Sequence, residues 1–238
     1  EANAKLYAAN QELEGFSYSV SYDLRAPLRN ISGFLELLGR RPAASADPEV
    51  MRFLSIMGTE IDRMGMLIDD LLTFARLGRT EMKREPVALE DVFAEARASL
   101  AQDLAGRTVE WKIGPLPVVR GDRALLRQVA INLLSNAVKF TRRRPLARIE
   151  IEPGTIRPED KLATFCVRDN GAGFNPKYLG KLFGVFQRLH NAREYEGTGV
   201  GLANVKRIVV RHGGRVWAEG DVDKGAAFYV TLPLAHTN

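Results

Sequence analysis

Three segments in the second half of the chain hold residues able to do chemistry together. In L-L-R-Q-V-A-I-N-L-L-S-N-A-V-K-F, Asn132 and Asn136 stand four apart and Lys139 three further on. Helical spacing puts them on one face, two carboxamides and an ammonium side by side. The same pattern also suits an ordinary amphipathic helix with its polar residues outward. In R-D-N-G-A-G-F a strand runs into Asp169 and a turn at Gly171 and Gly173, which alone is equally a simple Asx-type turn. In E-G-T-G-V-G-L-A, Gly197, Gly199 and Gly201 stand at a helix start. Backbone N–H groups there can cradle phosphate oxygens with no side chain in the way. A lone G-x-G-x-G is weak, and this one follows no Rossmann strand.

The first half offers a different group. In F-S-Y-S-V-S-Y-D-L-R-A-P-L-R, Tyr22 lies beside Asp23 and two positions from both Val20 and Leu24. At 3.6 residues per turn it sits about 200° around from one and about 160° from the other. Its phenol therefore projects away from the apolar seam toward solvent, a buried structural tyrosine being the alternative.

The elements that must position these groups fall into two halves. Val50, Leu54, Met57, Ile61, Met64, Ile68, Leu71 and Ala75 alternate spacings of four and three, a heptad seam. Asp47 suits its N-cap, Pro48 the first helical position and Glu49 the positive dipole end. Phe16, Val20, Leu24, Leu28, Ile31, Leu35 and Leu38 repeat the pattern, with a kink expected at Pro27. The short linker from Gly39 to Ala46 makes the two helices antiparallel neighbours. Two helices cannot bury so much apolar seam, so a homodimer forming a four-helix bundle is expected. From about Lys83 the pattern is mixed. Helices over Leu89 to Asp103, Asp122 to Phe140 and Gly201 to His212 alternate with β-rich runs. These runs are Val109 to Ile113, Arg148 to Glu152, Ala163 to Val167, Arg215 to Glu219 and Phe228 to Leu232. The expected fold is a helical-hairpin domain over 1–80 followed by an α/β sandwich over 84–238.

Composition narrows the class. The 238 residues are 45% hydrophobic and 26% charged with net charge +5, a globular balance with no apolar run near the ~18 residues that cross a bilayer. One cysteine excludes a disulfide framework and any multi-cysteine metal site, making a reducing cytoplasm the default. His190, His212 and His236 have no metal-ligand spacing. Basic residues are spread among 29 acids without aromatic interleaving, against a nucleic-acid partner, and Arg142 to Arg144 reads as a solvated loop. The charged, helix-prone start without Met suggests a piece of a longer protein, with any membrane anchor upstream.

In their order, N-x-x-x-N-A-x-K-F, D-N-G-x-G-F and G-T-G-x-G-L resemble the ATP-binding domain of sensor histidine kinases, the Bergerat-type fold, from about Pro86 to Leu234. Phe183 and Phe186 look like the phenylalanine box beside the ATP lid. The final glycine motif is reduced from G-x-G to Gly225. The resemblance implies ATP and Mg²⁺ as ligands. It implies that Asp169 accepts a hydrogen bond from the adenine amino group and that Asn136 helps hold Mg²⁺. Asn132 and Lys139 would lie on the phosphate side, with Gly171 and Gly173 in the adenine turn. Gly197, Gly199 and Gly201 would close over the phosphates, with Arg188 and His190 as lid contacts. Related ATPases carry a water-activating Glu where this chain has Asn132; an amide is no general base, so fast hydrolysis is not expected.

The Tyr22 segment is similar to the phosphoacceptor box F-x-x-x-x-S-H-D-L-R-A-P-L of the same family, except that Tyr22 replaces the histidine. Neutral imidazole offers a lone pair at pH 7, whereas a phenol with pKa about 10 must first lose its proton. The product would be an aryl ester with too little transfer potential to relay to a receiver aspartate. Ala26 stands where phosphatase-competent relatives usually carry Thr, Asn or Gln. Tyrosine in an otherwise intact box is similar to the DivL type of atypical kinase. That resemblance implies as partners a response-regulator receiver domain (DivK-like) and another sensor kinase (CckA-like). The alternatives are ATP-dependent autophosphorylation of Tyr22 with Asp23 as base, and an ordinary sensor kinase carrying a His-to-Tyr substitution.

Overall fold

The structure, a computed structural model, describes Leu24, residues 28–40, 47–79, 81–157 and 161–189, Tyr195 and residues 197–235. Tyr22, Asp23, Pro27, His190 and most of the Gly39 to Ala46 linker therefore lie outside the described residues. The chain divides into two compact units, Glu1–Thr80 and Glu81–Asn238.

In the first unit residues 28–39 form helix α1 and Pro48–Arg79 form α2. Asp47 caps α2 as its sequence suggests: Oδ1 accepts from the Glu49 N–H at 2.9 Å. Leu28, Ile68 and Leu72 make a small buried cluster, with Ile61 packed against it. Among the described residues, other positions of the seam are half-buried or exposed. Met57 and Met64 are 50% and 45% exposed, and Ile31 and Leu38 are 47% exposed each. Two helices have too little facing surface to cover a stripe this wide.

The second unit is a five-stranded sheet backed by helices. Its strands are β2 (Val109–Ile113), β4 (Ala147–Arg157), β5 (Leu162–Asp169), β6 (Arg215–Asp221) and β7 (Gly225–Pro233). They lie in the order β2-β4-β5-β7-β6, with β2 and β4 parallel and the other pairs antiparallel. Helices α3 (Leu89–Ser99), α4 (Arg123–Phe140) and α5 (Gly201–Arg211) bury apolar stripes. Helix α4 lies between the other two and against β4 and β5. Phe93 of α3 meets Phe165 of β5 edge-on at 5.3 Å. Helix α4 is well started: Asp122 Oδ1 accepts from the Ala124 and Leu125 N–H groups. His212, at the end of α5, is buried; its Nδ1 contacts the Ile208 carbonyl and its Nε2 accepts from the Asp122 N–H. It serves as a structural tie, and burial lowers its pKa. Cys166, facing Tyr229 across β5 and β7, is buried, which pushes its thiol up to about 11.

The sequence reading differs from this in two places. It missed a two-stranded ribbon, β1 (Glu85–Ala88) with β3 (Val118–Gly121). Four-residue strands are too short to show a period, and Pro86 argues against one. The ribbon still anchors the unit, with Val87 and Val119 buried. The helix expected to reach Asp103 ends at Ser99, because Leu100 turns into the core and a 3-10 turn follows over Gln102–Leu104.

Candidate functional site

Helix α4 carries Asn132, Asn136 and Lys139 on one half-buried face. Asn132 folds back on its own helix, Nδ2 donating to the Gln128 carbonyl at 3.0 Å. Its Oδ1 lies 2.9 Å from where a Cβ on Gly201 would stand. Glycine at position 201 thus lets α5 begin directly against the α4 amide. The Lys139 ammonium lies 4.5 Å from the Phe140 ring centroid and 3.2 Å from the Cβ position of Gly197. Asn132 and Lys139 therefore face the Gly197–Gly201 turn, with Asn136 between them on the same helix face. The N-cap Val200 supplies no side-chain hydrogen bond to α5, which leaves its first-turn N–H groups for other acceptors.

Asp169 closes the other side. It ends β5 with 5% exposure, its Oδ1 accepting from the Gly171 N–H at 2.8 Å. Burial raises its pKa to about 6, opposed by backbone hydrogen bonds from Gly171 and Ala226 and by the Arg144 charge. Gly171 is wedged between that carboxylate and the Phe140 carbonyl, each 2.7 Å from its Cβ position. Gly173, at φ 60°, has the Asp221 carbonyl oxygen 1.8 Å from its own Cβ position. No side chain fits at either position.

Three further residues shape the site without a signal in the sequence reading. Arg144, expected in a solvated loop, is half-buried. It donates from Nε to the Asn170 carbonyl at 2.8 Å and from Nη2 to those of Gly171 and Asp223. Asp223 takes the place of the missing glycine of the last motif and adopts φ 63°, a conformation that Asp tolerates better than most residues. The remaining Gly225, at φ 90°, has the Asp169 carbonyl oxygen 2.0 Å from its Cβ position. Tyr195 is buried against Phe140, and an aromatic two residues before a glycine turn is the one mark that could have drawn attention to it. Arg188, expected near the lid, donates to the Tyr195 carbonyl at 2.6 Å. Phe183 is half-buried and Phe186, at φ 60°, is half exposed.

The donor set suits a nucleotide. A buried carboxylate can take an amino group, glycines leave room for phosphates, and an ammonium offers charge. Among the described residues no group of three or more His, Cys, Asp or Glu could hold a metal. Mg²⁺ needs none, since it is commonly held by phosphates, water and one or two oxygen donors; the Asn136 amide oxygen is such a donor. A separate groove of about 920 Å³, lined by Ala94, Arg97 and Trp111 among others, contains none of these residues.

Known proteins share the fold of both units. The family described as His Kinase A (phospho-acceptor) domain matches residues 12–80. That described as Histidine kinase-, DNA gyrase B-, and HSP90-like ATPase matches residues 121–236. Phytochrome-like protein Cph1 of Synechocystis sp. is 34% identical over 97% of this chain and 30% of its own length. Phosphate regulon sensor protein PhoR of Pseudomonas aeruginosa is 32% identical over 94% of this chain and 51% of its own. The chain thus spans about a third to a half of these relatives. Full-length ShkA, solved in complex with AMPPNP, superposes with a TM-score of 0.68 at 27% identity, over 94% of this chain and 46% of ShkA. A helical phospho-acceptor domain followed by an ATP-binding α/β domain places this chain in the sensor histidine kinase family, as its catalytic core.

Proposed function

We propose that this chain is the ATP-binding core of an atypical two-component sensor kinase, signalling through partner binding instead of a histidine phosphorelay. The observation that carries the reading is Tyr22, set in a phosphoacceptor box whose flanks, F-S-Y-S-V-S before it and D-L-R-A-P-L after it, are otherwise kept. None of His190, His212 and His236 falls within residues 1–80. Asp169 accepts the adenine amino group, and Asn132, Lys139 and the Gly197–Gly201 turn face the phosphates; the likeness to ShkA, solved in complex with AMPPNP, supports a nucleotide ligand. Asn136 supplies an oxygen to Mg²⁺. Bound ATP supplies the phosphoryl group, and Mg²⁺ offsets its charge. With Asn132 in place of a carboxylate, no side chain there takes a proton from water. The partners are a response-regulator receiver domain of the DivK kind and a second sensor kinase of the CckA kind, and the working form is a homodimer.

The test uses labelled ATP with the wild type, Tyr22→Phe and Tyr22→His, alongside binding of a phosphorylated receiver domain. The expected result is no label on the wild type, label on Tyr22→His, and receiver binding by all three. Label on the wild type that vanishes in Tyr22→Phe would instead establish a tyrosine autokinase. There the phenol proton passes to Asp23 as the new O–P bond forms and the bond to ADP breaks. A histidine codon at position 22 of the native gene would make this an ordinary sensor kinase.

A further inference from the structure

We infer that Tyr195 is a positioning residue for the phosphates of the nucleotide: its ring, seated on Phe140, holds the Gly197–Gly201 turn against Lys139. This deepens the reading of the site as an ATP site and rests on it.

Tyr195 comes from a polar stretch, R-E-Y-E-G, yet is only 6% exposed. Its ring centroid lies 5.1 Å from that of Phe140 with the planes at 54°. The Arg143 guanidinium stands 5.5 Å from the same ring, and the Tyr195 carbonyl accepts from Arg188 at 2.6 Å. The residue is thus fixed at both side chain and backbone. Two positions later Gly197, at φ 136°, passes so close to the Lys139 ammonium that a Cβ would lie 3.2 Å from it. Phe140 is the neighbour of Lys139, and its carbonyl accepts from the Ala172 N–H at 3.1 Å in the turn after Asp169. One aromatic pair therefore joins the adenine side of the site to its phosphate side. The glycines of the turn have high conformational freedom, and gathering them around phosphates costs entropy. A ring fixed by two torsions, already docked next to Lys139, removes much of that cost before the ligand arrives. The ring makes this contact, so phenylalanine should replace it.

Calorimetry on the whole chain with adenosine and with the β,γ-imido analogue of ATP plus Mg²⁺ separates the two sides. Tyr195→Ala is expected to weaken the analogue roughly five- to tenfold while adenosine affinity stays within about twofold, and Tyr195→Phe should restore wild-type affinity for the analogue. Should the alanine variant also lose adenosine, Tyr195→Leu, which keeps apolar bulk at the buried position, carries the same comparison. Unchanged or tighter analogue binding by these variants, or an equal loss of both ligands in Tyr195→Leu, would overturn the inference. Failure of the wild type to bind either ligand would overturn the ATP reading beneath it instead.

Discussion

Asp169 is where the proposed nucleotide site and the stability of the free fold oppose each other. Its carboxyl titrates near 6 because burial disfavours the charge. The folded pKa lies above the ordinary 3.8, so this group's contribution to stability is fully present below about 3.8 and is lost as pH rises through about 6. A donated amino group favours the carboxylate and reverses that preference. Adenosine affinity should therefore be constant above about pH 7 and fall as pH drops below about 6, which calorimetry at several pH values would show. Asp169→Asn should weaken adenosine at least about tenfold at any pH, because an amide has one acceptor oxygen for the Gly171, Ala226 and ligand donors together. At this scale the sequence was readable where function follows local spacing. Helical period placed Asn132, Asn136 and Lys139 on one face, and the glycines after Asp169 marked its turn, while their roles came from the family resemblance. Arg144 did not, because its partners are carbonyls 26, 27 and 79 residues away. A run of three arginines carries no trace of such contacts.

The elements owe their placement to a few backbone positions. Period and capping made α2, α4, α5 and the strands of the main sheet legible to within a few residues, except that β4 runs on from the expected Glu152 to Arg157. The β1–β3 ribbon escaped because its pairing is made between segments some 30 residues apart, each too short for a pattern. The link from β6 to β7 is the position most open to test. Asp223 there holds φ 63°, and its N–H donates to the Ala172 carbonyl at 2.8 Å beside the adenine turn. Asp223→Gly should raise unfolding free energy by about 0.5–1 kcal/mol, since relief of left-handed strain slightly outweighs the added freedom of the unfolded chain. Gly225→Ala should lower it by at least about 2 kcal/mol, because the new methyl meets the Asp169 carbonyl oxygen. Urea unfolding of both variants checks the pair, and a stabilised Gly225→Ala would contradict the geometry.

For the molecule as a whole, the two units have different requirements. The second buries Phe93, Phe165, Leu133, Ile149, Ile208 and Leu232 almost completely and so has a core of its own. Among the described residues the first buries few apolar side chains, Leu28, Ile68, Leu72 and Leu77, as expected of one half of a family dimerisation domain. Placing Lys at both Met57 and Met64 should convert a dimer to monomer in light scattering and lower the melting temperature of the helical unit, while adenosine affinity stays within about twofold. Retention of the dimer would move the interface to another face of α1 and α2. The hairpin and its open seam were evident from the heptads. How much of the seam one chain could cover itself was not, because periodicity marks a stripe without saying what faces it.

Cys166 has a practical consequence for labelling this protein. A single thiol, 5% exposed and titrating near 11, is almost wholly protonated and sheltered under ordinary labelling conditions. To a maleimide or a mild oxidant the folded 238-residue chain behaves as if it were free of sulfhydryls. A cysteine introduced on the open face of α2 or beside the glycine turn would accept a fluorophore or spin label alone, with the native residue left in place.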